Sequence, residues 1–221
     1  MFMKIYRKYC AFLLIALLLI GLTGCGGGQT PTDVTKQFLD AIKSKDSKKI
    51  EKVYAGKELE IVNNGLTDLT GEKAEESTET SFDEENSKLF EEKLLSFDYE
   101  MSNEKIEDNK ATVDVSITTY KIGDAFTNIL SNYIQEAFAL AFSGALKEEI
   151  NKVMNSCFKD EFEKLEKKEF QKTATVSLTK GDDGWTVDEI EDDSEFMDAI
   201  TGGMVSIVKG WGDAFGQGGN D

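Results

Sequence analysis

The chain has 221 residues, of which 42 are acidic and 25 basic, giving a formal net charge of −17, and it contains no histidine. The missing histidine excludes Ser–His–Asp and Cys–His nucleophile systems and His-ligated metal sites. The acidic balance excludes the basic surface that nucleic-acid binding requires, so we expect no nucleic-acid partner. The length predicts one folded domain with extensions.

The first 25 residues have the pattern of a targeting segment. Lys4, Arg7 and Lys8 precede an uninterrupted apolar run over residues 10–22. A membrane-spanning helix needs about 20 apolar residues, so this shorter run suits the core of a signal peptide. The run ends in Leu22-Thr23-Gly24-Cys25, which resembles the lipobox of bacterial lipoproteins.

The lipobox resemblance implies cleavage between Gly24 and Cys25 and a diacylglyceryl group on the Cys25 thiol. Two acyl chains give stable anchoring, whereas one chain is marginal. We therefore predict a signal peptide over residues 1–24, a flexible tether over 25–30 and a lipid-anchored protein on the extracytoplasmic face of the cell membrane. The alternative is an uncleaved signal anchor with an incidental cysteine.

The mature chain that this cleavage would produce is strongly acidic, with 22 basic residues against 42 acidic ones and a net charge of −20. It would contain neither Arg nor His. Besides the lipidated Cys25 it would keep Cys157, which lies in an apolar stretch. We expect Cys157 to be a buried apolar side chain and not a disulfide partner or a reactive thiol.

Two helices are predicted at the start of the mature chain. Thr30 suits an N-cap and Pro31 the first helical position, and apolar residues then recur at helical spacing through Ile42. A short second helix follows Asp46, and a third is predicted over residues 89–95. Between them, residues 71–86 hold seven acidic side chains and one basic one, which predicts a solvated loop.

Alternation of apolar and polar residues predicts two β-hairpins. The first alternates over residues 97–102 and 111–118, and the second over 173–178 and 185–187. The Gly181-Asp182-Asp183-Gly184 sequence supplies the turn of the second hairpin. Together with the helices, these hairpins predict an α+β fold in which a curved antiparallel sheet of about four strands packs on helices.

A long helical insertion, residues 124–168, is predicted between the two hairpins, as a helical hairpin or a bent helix. Its longest apolar stripe recurs every four residues, and we expect this stripe to cover the concave side of the sheet. On that interpretation Phe138→Ala would remove much of the stability of the domain. The stripe consists of Phe126, Leu130, Ile134, Phe138 and Phe142.

The order of these elements resembles small Gram-positive lipoproteins with a nuclear-transport-factor-2-like or cystatin-like domain. The resemblance rests on Val34–Ile42, Asp46–Ile50, Ala174–Leu178 and Asp183–Asp188. It implies a curved sheet wrapped around helices, with a cone-shaped cavity, over a domain of residues 31–200. Residues 201–221 are predicted to be a Gly-rich C-terminal segment that packs over the sheet or lies against lipid or a partner.

No catalytic residue, metal ligand or cofactor site is predicted. Residues 182–198 hold nine acidic side chains and no basic one, which favours a solvated acidic edge over a Ca²⁺ site because the order of an EF-hand is missing. The aromatic residues Phe126, Tyr133, Phe138 and Phe142 are candidates for a pocket or an interface.

The sequence therefore predicts a non-catalytic lipoprotein that binds an unidentified protein or small molecule. One alternative is a hydrolase that uses carboxylates, which a carboxyl group with a raised pKa in a cleft would favour. Another is an interaction subunit that docks on a membrane complex through residues 126–146, which an exposed apolar helix face would favour.

Overall fold

The structure is a computed structural model that describes residues 28–57, 59, 83–143 and 147–216. Within these ranges the chain forms seven helices and four strands, which confirms the predicted α+β class. In chain order the elements are α1 (Pro31–Lys43), α2 (Ser47–Val53), α3 (Glu84–Leu95), β1 (Asp98–Glu107), β2 (Lys110–Thr119), α4 (Ile122–Ser143), α5 (Lys147–Glu163), β3 (Phe170–Gly181), β4 (Gly184–Val187), α6 (Glu195–Ile200) and α7 (Met204–Gly216).

Local sequence sets the start of the first helix as predicted. Thr30 caps α1, its Oγ1 accepting a hydrogen bond from the backbone N–H of Asp33 at 3.1 Å. In return, the backbone N–H of Thr30 donates to the Asp33 carboxylate at 3.0 Å. This reciprocal pair satisfies two amides that the helix itself leaves without partners.

The four strands form one antiparallel sheet in the order β1-β2-β3-β4. The two predicted hairpins pair with each other through β2 and β3, where Val113 lies opposite Val176. Asp98 pairs with Thr118 on the other side of β2. β2 and β3 therefore pair directly, although the helical insertion separates them along the chain. This confirms the predicted architecture of two hairpins with an insertion between them.

One face of the sheet is apolar and covered by the terminal helices. On this face Val113, Val115, Ile117, Val176 and Leu178 are at most 1% exposed. They pack in one core with residues of α1, α2 and α6. The opposite face is rich in hydroxyl side chains, so only one side needs a covering layer.

At the centre of this core lies Phe38 of α1. Its ring stacks on Tyr54 at a centroid distance of 5.1 Å and contacts Phe196 of α6 at 5.9 Å. In the described part of the chain, these side chains pack against the apolar face of the sheet, where the family resemblance implies a cavity.

The prediction that the insertion covers the sheet is wrong. α4 packs on α5 and α7, and Ile134, Phe138 and Phe142 are 55%, 65% and 80% exposed. The apolar face that they were expected to cover is already filled by α1 and α6. Because a sheet face accepts one covering layer, the insertion is excluded from it and builds a second core.

This second core joins the insertion to α3. It contains Ile122, Ala125 and Ile129 of α4, Cys157, Phe158 and Phe162 of α5, and Phe90 and Leu94 of α3. The insertion is therefore a helical hairpin of α4 and α5, of which the end next to the sheet is buried. We call that end the root; it comprises residues 122–129 and 157–163.

The segment after residue 200, predicted to be a Gly-rich C-terminal segment, forms the helix α7 over most of its length. It follows a close turn in which Gly202 adopts a φ of 61°, and a Cβ there would collide with the carbonyl oxygen of Tyr120. Met204 then enters the second core, whereas Val205 packs against the first. α7 thus connects the two cores, and only part of it packs over the sheet.

Of the acidic loop predicted over residues 71–86, positions 71–82 lie outside the described residues, and Glu84 already belongs to α3. None of the helices in the described ranges combines the length and apolarity needed to cross a membrane.

Candidate functional site

The four aromatic residues proposed from sequence do not converge on one pocket. Phe126 lies in the root, where its ring makes edge contacts with Phe90, Phe158 and Phe162 at centroid distances of 5.8–6.1 Å. Tyr133 is half-buried against the same core. These two residues therefore stabilise the hairpin, which leaves the other two as the candidate interface.

Phe138 and Phe142 lie on the part of α4 that extends past the root. Their rings contact each other edge to face at 4.9 Å, and each remains largely exposed. Ile134 precedes them by one turn and is also more than half exposed. We call the surface formed by Ile134, Phe138 and Phe142 the apolar tip.

The sequence explains why this end of α4 is helical without being packed. Ala137, Ala139 and Ala141 alternate with larger apolar residues, and alanine has the highest intrinsic helix propensity. The ten residues 137–146 carry no charge. An exposed helix in a water-soluble domain normally presents polar side chains, so this composition is unfavourable in water unless a partner covers it.

The hairpin lies at the end of the sheet opposite the start of α1. Thr32 donates hydrogen bonds to Glu104 from its backbone N–H at 2.9 Å and from its Oγ1 at 2.6 Å, next to the turn between β1 and β2. At the other end of α1, the Lys43 ammonium donates to the carbonyl of Phe97 at 2.6 Å. β2 ends there and leads into α4. Glu104 and Asp98 are six residues apart on β1, so the end of the sheet that leads into α4 lies roughly 20 Å from Thr32.

A buried ionic cluster, which the residue pattern did not predict, attaches the C-terminal helix to the sheet. Asp198, only 5% exposed, accepts hydrogen bonds from the backbone N–H and Oγ of Ser206 at 2.7 and 2.8 Å and from Lys172 at 3.0 Å. One residue in the sequence could have indicated this cluster. Lys172 is a charged residue at an inward position of β3, opposite Ile117, and a charge there requires a partner of opposite sign.

The environment of Asp198 favours its charged form. Burial acts to raise the pKa of this carboxyl group, but the hydrogen bonds from Ser206 and Lys172 outweigh it and hold the pKa below its ordinary value. Asp198 lies in the acidic stretch 182–198, so one member of that predicted solvated edge is a structural, buried group.

The remaining acidic stretch forms part of a shallow surface depression of about 240 Å³, whose described lining is Tyr54, Lys57, Leu59 and residues 189–192. The Tyr54 hydroxyl accepts a hydrogen bond from the backbone N–H of Ile190 at 3.0 Å, and burial raises its pKa. Among the described residues, no group of three or more acidic or cysteine side chains is placed to hold a metal ion.

Cys157 is buried in the second core, as predicted, at 5% exposure. Burial, together with the nearby charges of Glu136 and Asp160, raises the pKa of its thiol. The neutral thiol is therefore favoured, which is the state of a packing residue. Gly24 and Cys25, the predicted cleavage and lipidation positions, lie outside the described residues.

Comparisons with known proteins leave the family open. No protein-family model matches the chain, and no curated protein does. The chain is similar to the crystal structure of a candidate lipoprotein, ycdA, from Bacillus subtilis, with 18% identity and a TM-score of 0.48 over 76% of this chain. It spans about half of that chain, 53%. The nuclear-transport-factor-2-like or cystatin-like assignment remains a prediction.

Proposed function

We propose that the chain is a lipoprotein anchored through Cys25 on the extracytoplasmic face of the cell membrane, and that its domain binds another protein through the helical hairpin. The anchor rests on the lipobox Leu22-Thr23-Gly24-Cys25. Of the two binding modes that the sequence left open, protein binding now has the stronger support, because the apolar face of the sheet is covered by core residues.

The observation that carries this proposal is the exposure of two neighbouring phenylalanines, Phe138 and Phe142, on one helix face. Moving a phenylalanine side chain out of water stabilises a complex by about 1.5–3 kcal/mol. Large aromatic side chains are also enriched among the residues that dominate protein interfaces. The domain does not use this surface for its own packing within the described residues, so a partner can cover it.

Site-specific photo-crosslinking in living cells tests the interface. A photoreactive amino acid at position 138 is expected to form a defined crosslinked product, because that side chain would be covered by the partner. The matched control is position 106, where the exposed Ile106 of β1 lies beside the turn to β2, at the end of the sheet opposite the hairpin. Equal products at both positions, or none at position 138, would contradict the proposal.

The anchor has its own prediction. Cys25→Ser is expected to abolish fatty-acid labelling and to leave either a released protein or an unprocessed precursor, because serine cannot form the thioether. Metabolic labelling with a radioactive fatty acid measures this directly, and Cys157→Ser serves as the control, since that thiol is buried in the second core. Equal labelling of wild type and Cys25→Ser would exclude the lipoprotein assignment.

The carboxylate hydrolase lacks a supporting observation. The described carboxyl groups whose pKa is displaced, those of Asp40, Asp46, Asp114, Asp193 and Asp198, are all displaced downward. A general acid needs a displacement in the opposite direction.

A further inference from the structure

We infer that the apolar tip docks into a protein groove with an apolar floor and a basic rim, on a partner that lies away from the bilayer holding the anchor. This inference rests on the proposed function and specifies the chemistry of the partner. The apolar floor follows from the side chains of the tip, and the rim and location follow from charge and geometry.

The acidic charge of this chain indicates that the rim of the partner's groove is basic. Residues 122–163 contain seven acidic and three basic side chains, and the mature chain would carry a net charge of −20. A field of one sign over a whole domain accelerates association with a partner of opposite charge and disfavours one of like charge. The same field opposes docking of the tip on a second copy of this chain or on an anionic lipid surface.

Geometry separates the tip from the bilayer that holds the anchor. The six-residue step from Cys25 to Pro31 spans about 20 Å at full extension, so the start of α1 stays near the membrane. The hairpin leaves the opposite end of the sheet, beyond Phe97 and the end of β2. α4 then continues past the root for several turns, packed on helices and not on the sheet. The hairpin therefore begins at the end of the sheet farther from the tether, and the tip lies beyond its root.

The apolar tip also has the shape that helix-in-groove recognition uses. Ile134, Phe138 and Phe142 recur every four residues, so they project from one side of α4 in a row. In helix-in-groove complexes, side chains spaced in this way insert one after another into the groove as anchors.

Binding of two synthetic helical peptides tests this inference. The protein is the mature chain, residues 25–221, with Cys25→Ser so that no lipid is attached. One peptide has leucine on one face and lysine on the other, and the second has glutamate in place of every lysine. Fluorescence anisotropy is expected to show binding of the lysine peptide only, weakening as salt shortens the Debye length from about 30 Å to about 10 Å.

Matched variants assign that binding to the tip. Phe138→Ser with Phe142→Ser is expected to weaken the lysine peptide by about tenfold or more, as loss of aromatic anchors does at interfaces. Ile106→Ser removes an apolar side chain of similar exposure elsewhere and is expected to leave binding unchanged. Circular dichroism of each variant checks that the fold is retained.

Each other outcome overturns the inference in a distinguishable way. Equal binding of both peptides through the tip would overturn the basic rim but leave protein binding intact. Tip-dependent binding to vesicles of phosphatidylglycerol and phosphatidylethanolamine would identify a bilayer as the occupant, and a tip-dependent dimer in sedimentation a second copy. If neither peptide binds the tip the inference fails, and the proposed function fails with it only if crosslinking at position 138 also fails.

Discussion

Phe38→Ala is expected to destabilise the domain by about 3–5 kcal/mol, the usual cost of truncating a fully buried phenylalanine. Phe38 is completely buried and contacts both Tyr54 and Phe196, so its loss leaves a cavity between α1, α6 and the sheet. A native domain is stable by only about 5–15 kcal/mol. Urea denaturation followed by circular dichroism would show the change as a lower midpoint.

Phe138→Ala is the matched control for this experiment. The same chemical change on α4 is expected to alter the free energy of unfolding by about 0.5 kcal/mol or less, because the Phe138 side chain is already 65% exposed. Comparable destabilisation by the two variants would mean that the tip is packed in the native state, which would remove the basis of the proposed interface.

Asp198→Ala is the second substitution with a large expected effect. Removing one partner of a buried ion pair typically costs about 3–5 kcal/mol, and the 29% exposure of Lys172 places the expected loss near 3 kcal/mol. The variant also loses the acceptor of the Ser206 backbone N–H, which fixes the first turn of α7. Thermal unfolding and hydrogen exchange of α7 would report the two effects separately.

Asp193→Ala is the matched control, since Asp193 belongs to the same acidic stretch and also pairs with a lysine, Lys209 at 2.8 Å. Its side chain is 72% exposed, and exposed ion pairs contribute about 1 kcal/mol or less. Similar losses from Asp198→Ala and Asp193→Ala would show that the Asp198 cluster is not buried in solution.

The pKa of Asp198 makes its contribution pH-dependent. Because the folded state lowers this pKa, the stabilisation is fully present above the ordinary aspartate pKa of about 3.9 and is lost as the pH falls through the folded value. Between neutral pH and about pH 3, wild type should therefore lose more stability than Asp198→Asn, which has no charge at that position. Parallel slopes for the two proteins would contradict this assignment.

Features that depend on neighbouring residues were predicted well. The cap at Thr30, the turn between Gly181 and Gly184 and the two hairpins follow from hydrogen bonds and backbone preferences within a few residues. Cys157 was predicted to be buried because the residues around it are apolar. The four aromatic residues proposed together from the sequence are separated in the structure: Phe126 and Tyr133 pack against the second core, whereas Phe138 and Phe142 lie on the tip.

The sequence by itself determined the order of the elements from α1 to β4 and the acidic charge, and it predicted the lipobox, because each depends on residue type and local spacing. The tertiary structure decided which helices cover the sheet. α1, α6 and α4 all have apolar faces, and periodicity does not distinguish among them. Once α1 and α6 fill the sheet face, α4 is left to build the second core and to expose Phe138 and Phe142. The packing of α6 on the sheet also places Asp198 beside Lys172. This contact joins distant segments of the chain, so local patterns do not specify it.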